Sequence, residues 1–392
     1  RELIDVDGRR YLDAISSLWV TTLGHRVPQL DEALREQIDR VAHSTLLGNG
    51  NTVVVELAER LARVVPVEDP CFLFASDGAC ALEQAMKIAY QYWWNLGVVG
   101  RDRYLVLGDA YHGDTVGSLS LGAGGFGTDL FDPLRFPGVV RADGYRNPEW
   151  LQGALQALDV HGGSLAAIVI EPLVQGASGI YVADPDDVRC FTDACQSSGV
   201  LVICDEVATG FGRTGHLFAS EACGIRPDLM AIGKGLAAGY LPMSATVASR
   251  RVAAAFDGED LGSRTFYHGH SFGGNALAAA VARRQLDLFD EWGVLENVRA
   301  RSEQLRGLLA GVAADPVVAQ VRICGLMAGI ELDPGRPGQR WGRRVCAAAV
   351  ERGVLLRPLG DVVVLMPILT STAAEIDRIV STLAEAIDSV CR

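Results

Sequence analysis

What most restricts the fold of this chain is an alternation of short apolar runs with amphipathic stretches, from about residue 65 to residue 249. The runs cover residues 71–75, 104–107, 166–170, 201–204, 229–232 and 243–248. Strands alternating with helices predict an α/β fold around a mostly parallel sheet with right-handed crossovers. In such a sheet, ligands bind outside the carboxyl ends of the strands. The residues found there are chemically loaded. One run ends at Glu171, another at Asp205 and a third at Gly233-Lys234, while residues 104–107 lead into Asp109, Tyr111, His112 and Asp114. Loops are polar in general. Four strands bringing carboxylates, an aromatic, a histidine and a lysine to one edge nevertheless predict one site.

The flanks read differently. Residues 4–11, with the Asp7-Gly8 turn, predict a β-hairpin, and residues 28–42 and 52–64 predict helices. Beyond the sheet, helical patterns cover residues 277–288 and 295–312, strand patterns 318–332, 354–357 and 362–366, and a last helix 373–390. This tail predicts a smaller α+β domain.

Composition removes several classes of function. A length of 392 residues, 49% hydrophobic and 21% charged, excludes disorder and supplies a large core. A net charge of -13 argues against nucleic acid as a partner. No apolar run approaches the roughly 18 residues that a membrane span needs. The nine cysteines show no CxxC spacing, which points to neither a disulfide framework nor zinc and suits a reducing cytoplasm. The chain opens at Arg1, without a methionine, inside a strand pattern, so residues are expected to precede it.

Three motifs invite other readings. Residues 122–127 (GAGGFG) and 210–215 (GFGRTG) match GxGxxG, but neither joins a strand directly to a helix start, and both predict loops. Residues 269–273 (GHSFG) match the nucleophile elbow of α/β-hydrolases. A hydrolase triad on Ser271 fails, because its histidine must follow the serine and the last histidine is His270. A hydroxyl and free backbone N–H groups before a helix could instead bind phosphate. His268 and His270 lack a nearby third ligand, so no metal site is expected.

Only two of the 35 basic residues are lysine. Lys87 follows Glu83 by one helical turn, the spacing of a surface ion pair. Lys234 closes an apolar strand between Gly233 and Gly235, where desolvation would lower its pKa and make the amine a nucleophile. Pyridoxal phosphate (PLP) needs a lysine, an acid facing its ring nitrogen and an anion cradle. Lys234, Asp205 and the helix start at Gly78-Ala79 supply such a set. The residues alone also leave phosphoryl or acyl transfer open.

Residues 205–215 (DEVATGFGRTG) and 233–236 (GKGL) resemble the class III (fold type I) PLP aminotransferases, and the resemblance covers almost the whole chain. Further stretches at 17–20, 43–48, 111–115, 266–271 and 357–361 look like the branch that aminates 8-amino-7-oxononanoate in biotin biosynthesis. The resemblance implies a large domain at 45–275, a small domain from 1–44 with 276–392, and a homodimer sharing its active sites. It implies that Lys234 carries the cofactor, Asp205 pairs with the ring nitrogen, Tyr111 stacks on the ring, and His112 and Glu171 stand nearby. Gly78 and Ala79 would hold the phosphate, with Ser271 reaching it from the neighbouring subunit. Trp19, Tyr111, Asp114, Arg213, His270 and Arg357 would contact substrate, Asp114 pairing with Arg213 and Arg357 taking a carboxylate through its planar fork. The amino donor is lysine or S-adenosylmethionine, and residues 270–271 and 360–364 look closer to the lysine-using branch.

Overall fold

The computed structural model describes residues 1–123 and 127–391. The expected N-terminal hairpin is there, as β1 (Glu2–Ile4) against β2 (Arg10–Asp13). All six apolar runs become strands of a seven-stranded sheet. Its members are β3 (Cys71–Ala75), β4 (Arg103–Leu107), β5 (Val139–Ala142) and β6 (Leu165–Ile170), then β9 (Leu201–Asp205), β10 (Leu229–Ile232) and β11 (Ser244–Ala248). A small hairpin, β7 (Val174–Gln175) with β8 (Tyr181–Val182), lies between β6 and β9 in the chain. The sheet order is β3-β11-β10-β9-β6-β4-β5. Neighbours from β10 to β5 run parallel, and β11 runs antiparallel to both β10 and β3. Strand β5 was not anticipated: it is a short edge strand, paired on one side only and interrupted by Arg141.

Every residue of β6, β9, β10 and β11 is buried, as expected for strands covered on both faces. One cover is the helix Gly78–Asn95, which packs Ala81, Leu82, Ala85, Ile88 and Ala89 inward at helical spacing. Its first turn is capped by Asp77, whose Oδ1 accepts from Cys80 N at 3.0 Å. Lys87 on this helix does not pair with Glu83. Its Nζ meets His268 Nδ1 at 2.9 Å, while Glu83 accepts from Thr115 Oγ1 at 2.7 Å and Gly117 N at 2.9 Å. The donors of the adjoining loop outcompete a flexible lysine for that carboxylate.

The C-terminal region holds a second, four-stranded sheet of β12 (Val318–Cys324), β13 (Met327–Leu332), β15 (Arg357–Leu359) and β16 (Val362–Leu365), in the order β12-β13-β16-β15. The single strand pattern at 318–332 is therefore a hairpin, turned at Gly325 with φ 59°. The pattern at 354–357 is also divided. Strand β14 (Val354–Leu355) pairs in parallel with β2, and β15 turns away to pair with β16. A helix at Trp341–Glu351 was missed, because its buried face is built largely from Cys346, Ala348 and Ala349, with few large apolar markers.

The loops after β4 and β5 are locked together below the site. Gly108 N donates to Ala142 O at 2.6 Å, and Gln175 Nε2 donates to Gly108 O at 2.8 Å while its Oε1 accepts from Tyr145 N at 2.9 Å. A Cβ on Gly144 would overlap the Gly108 carbonyl. Gly144→Ala is therefore expected to destabilise the fold by about 3 kcal/mol, by forcing apart the loop that leads to Tyr111. Urea unfolding at equilibrium checks this, and a loss below about 1 kcal/mol would show that the loops separate freely.

Candidate active site

A cavity of about 740 Å³ opens beyond the carboxyl ends of β4, β6, β9 and β10. The strand ends deliver the expected residues: Tyr111, His112, Glu171, Asp205 and Lys234 all line it.

Asp205 is the last residue of β9 and is 4% exposed. Its Oδ1 accepts from Val207 N at 3.0 Å, and its Oδ2 lies 2.7 Å from His112 Nδ1. These contacts fix the carboxylate before any ligand arrives. The Nε2 of His112 is buried and has no hydrogen-bond partner among the described residues. The histidine thus serves the carboxylate from behind.

Glu171 sits one residue beyond β6 and is held by two backbone donors, Tyr111 N on Oε1 at 3.1 Å and Gly176 N on Oε2 at 3.2 Å. Burial dominates its titration and, with the Asp205 charge adding to it, outweighs His112 and the two N–H groups, so its pKa is pushed up to about 7. Two carboxylates in one cavity thus have different environments.

Lys234 follows β10 and the extended Gly233, and starts a 3₁₀ turn over Lys234–Ala237 with φ 40°. Its Nζ lies 4.8 Å from the centre of the Trp19 ring. Desolvation lowers its pKa; Asp205 and Glu171 oppose that, and Arg213 adds to it. The amine is enclosed except where it meets the cavity.

Opposite stands the start of the helix Gly78–Asn95, where Ser76, Asp77, Gly78 and Ala79 line the cavity. First-turn N–H groups have no acceptor within their own helix, and the helix dipole places partial positive charge there. A Cβ on Gly78 would come within 2.6 Å of Val207 Cγ1. Gly113, with φ 124°, faces Ala79 so closely that a Cβ there would lie 2.5 Å from the alanine's own. Gly78 thus lets Val207 pack against the helix start, and Gly113 lets the turn after Tyr111 close on Ala79. The Tyr111 hydroxyl bonds Asp114, and burial is the larger reason that its pKa rises to about 12.

Four other expected residues do not line this cavity. Arg213 is not paired with Asp114. It is buried, with its guanidinium donating to Pro367 O, to Ser16 Oγ at 3.2 Å and to Thr21 O at 3.5 Å. A guanidinium taken out of water binds the nearest carbonyls, while Asp114 stays exposed with Tyr111. Ser271 and His270 lie in the turn before the helix Ala276–Glu291, whose N-cap is Asn275 rather than the serine. Arg357 is an exposed residue of β15. Of the two glycine motifs, residues 210–215 form turns with Gly212 and Gly215 at positive φ, and residues 124–126 of the first lie outside the described residues. Sequence reasoning missed Asp77 and Val207. An aspartate directly before Gly78 and a helical pattern was a readable cap signal, but nothing local marked Val207 as the wall behind Gly78.

PLP fits the residues present. The cavity supplies an enclosed amine, a fixed carboxylate, an aromatic ring at Tyr111 and an anion cradle at Gly78. No group of histidine, cysteine and acidic residues able to hold a metal occurs among the described residues.

The sequence model of the family described as aminotransferase class-III matches residues 2–387. An adenosylmethionine-8-amino-7-oxononanoate aminotransferase from Nitratidesulfovibrio vulgaris is 45% identical, over 99% of this chain and 76% of its own length. The crystal structure of an enzyme of that name from Methanocaldococcus jannaschii superposes with a TM-score of 0.95 at 35% identity, over 99% of this chain and 91% of that one. An amine transaminase from an uncultivated Pseudomonas species, solved with PLP bound, gives 0.94 at 33% identity, over 99% and 93%.

Two outcomes follow from this geometry. The folded value of Glu171 lies above the ordinary 4.5, so the folded protein binds that proton more tightly than the unfolded chain does. Its contribution to stability is present at low pH and is lost as pH rises from 4.5 through about 7. The stability of Glu171→Gln relative to wild type should therefore improve by on the order of 2 kcal/mol between pH 5 and 8, in denaturant titrations of the cofactor-free protein. A pH-independent difference would rule out the raised value. Gly78→Ala should weaken cofactor binding on the order of tenfold, and Val207→Ala in the same chain should restore most of it, read by cofactor fluorescence titration.

Proposed function

The chain belongs to the class III aminotransferases, a PLP-dependent enzyme family, and from that premise we propose that it aminates 8-amino-7-oxononanoate to 7,8-diaminononanoate in biotin biosynthesis. The observation that carries this reading is the relative bearing that activity in its name, at 45% identity along 99% of the chain. The geometry of the cavity supports it.

When bound, PLP supplies an aldehyde that takes up an amino group and a protonated ring that draws electrons from the carbon losing its proton. Lys234 Nζ would hold the cofactor in the resting enzyme, and once freed by a donor amine it would be the base for the proton on the donor carbon. Its lowered pKa favours the neutral form that this transfer needs. Asp205, steadied by His112 and Val207 N, would keep the ring nitrogen protonated. Backbone N–H groups of Gly78 and Ala79 would receive the phosphate, and Tyr111 would cover the ring. Glu171 would stand beside it, and Trp19 would wall the substrate side. The donor would leave as a carbonyl compound before the acceptor enters, so ping-pong kinetics are expected.

Among the described residues lining the cavity, Lys234 is the only lysine and there is no arginine. A substrate carboxylate therefore needs a partner from beyond that lining. Arg357 takes this role in the proposal, and a homodimer brings Ser271 to the neighbour's phosphate and His270 to its pocket. Exposed Trp94, Leu261, Tyr267 and Phe272 support a partner surface on the side of the helix Gly78–Asn95. The nine cysteines are free, which suits a cytoplasmic enzyme, and no helix of the described residues is long and apolar enough to cross a membrane.

For the donor, the relatives' names support S-adenosylmethionine. Residues 270–271 and 360–364 favour lysine, but none of them lines the cavity. The proposal takes S-adenosylmethionine first and keeps lysine as the second reading. The PLP-bound amine transaminase of similar fold supports a further reading, action on another amine.

Lys234→Ala should lose at least about 10³-fold in kcat while keeping the fold, and Lys234→Arg should not recover it, since guanidinium stays protonated. Borohydride reduction followed by peptide mapping should label Lys234, and a label elsewhere would remove it from this role. Single-turnover bleaching of the bound cofactor by S-adenosylmethionine against lysine decides the donor. Rescue of a biotin auxotroph lacking this step decides the acceptor; no rescue, with activity retained on other amines, would favour the further reading.

A further inference from the structure

Trp19 reaches the cavity on a segment whose backbone is held away from its resting preferences. Ser16, Ser17 and Trp19 all have positive φ, at 52°, 63° and 66°. Ser17 is the extreme case, with ψ -88°, in the γ-turn region that L residues rarely adopt. Such conformations persist only where surrounding contacts over-determine them.

The contacts converge on one buried acid. Asp13, the last residue of β2, is 1% exposed. Its Oδ1 accepts from Ile15 N at 3.2 Å, and its Oδ2 accepts from Ser17 N at 2.8 Å and faces His25 Nε2 at 2.8 Å. Ser16 Oγ donates to Met366 O at 2.7 Å and receives Arg213 from the other side. Downstream, Thr22 Oγ1 bonds Gln285, whose amide donates to Gly235 O in the Lys234 turn. Trp19 itself rests on Gly176, where a Cβ would lie 3.3 Å from its ring, and Gly176 N is one of the two donors holding Glu171. The segment is thus tied at both ends to groups beside Lys234.

We propose that Asp13 is a positioning residue for substrate recognition: its carboxylate holds the strained Ser16–Trp19 turn and thereby fixes Trp19 over Lys234 as a wall of the substrate pocket. This rests on the reading that Trp19 contacts substrate. A carboxylate suits the task because all three groups it faces can donate, and an amide cannot accept from all three. Strain makes the bond directional: without it, the turn relaxes toward ordinary φ and the indole leaves its place.

The test uses the holoenzyme with 8-amino-7-oxononanoate and its donor. Asp13→Asn should raise KM on the order of tenfold while kcat falls less than about threefold. Ser17→Gly is the control variant: it keeps the backbone N–H that Asp13 binds and accepts positive φ, so KM should stay as in wild type and Tm should be unchanged or higher. In a Trp19→Ala background, Asp13→Asn should raise KM no further, the coupling expected of residues acting through one side chain. Independently of substrate, 5-fluorotryptophan labelling, with Trp19 assigned through Trp19→Phe, should show its fluorine resonance shifted and broadened in Asp13→Asn and unmoved in Ser17→Gly. If Trp19→Ala raises KM but Asp13→Asn does not, or if Ser17→Gly raises it as much as Asp13→Asn, the positioning role is overturned. If Trp19→Ala leaves KM unchanged, the pocket reading fails instead, and an unmoved fluorine resonance in Asp13→Asn would then overturn the brace as well.

Discussion

The arrangement of this protein depends on keeping one primary amine out of water without losing its neighbours' charges. An exposed lysine is protonated at neutral pH and is a poor nucleophile, so a reactive one needs burial. Burial alone is costly, and Asp205 and Glu171 offset it by standing opposite Lys234. Those carboxylates then need holding in turn. Asp205 takes His112 and Val207 N, Glu171 takes Tyr111 N and Gly176 N, and these donors come from the loops after β4, β7 and β9. The parallel sheet brings these ends to one edge, and the core beneath it keeps them there.

Most of that edge was legible in the sequence because its signal is local. An apolar run with a polar stop identifies both a buried strand and what it carries, so Glu171, Asp205 and Lys234 could be read directly. The helix at Gly78 was legible as well, since a small residue at a helix start has few other uses. What escaped was set by packing between distant segments. Val207 matters because it fills the space beside Gly78, and β5 matters because it closes the sheet edge over Arg103–Leu107. The expected Arg213–Asp114 and Lys87–Glu83 pairs failed for one reason. Charge and spacing say which partners are possible, while burial and nearby carbonyls decide which are taken.

The shortage of lysine sharpens the same point. Arginine serves throughout as an ion-pair and carbonyl donor, as at Arg1 with Glu375 and Arg251 with Asp228. Its planar fork suits those tasks. The two lysines remaining are placed differently. Lys87 points its amine at a histidine and the Phe266 ring, and Lys234 is enclosed beside two acids. A composition that replaces lysine wherever charge alone is wanted leaves it conspicuous where a titratable amine is wanted.

The two buried acids of the cavity, Asp205 and Glu171, show how one sheet edge can carry opposite electrostatic roles. Asp205 faces a histidine and keeps a fixed orientation, which suits a charge that must remain opposite a protonated ring. Glu171 is buried with only backbone donors, and its pKa near 7 lets it change protonation when the charge beside it changes. Asp77 and Asp114 line the cavity as well, and the four carboxylates together draw amines toward it.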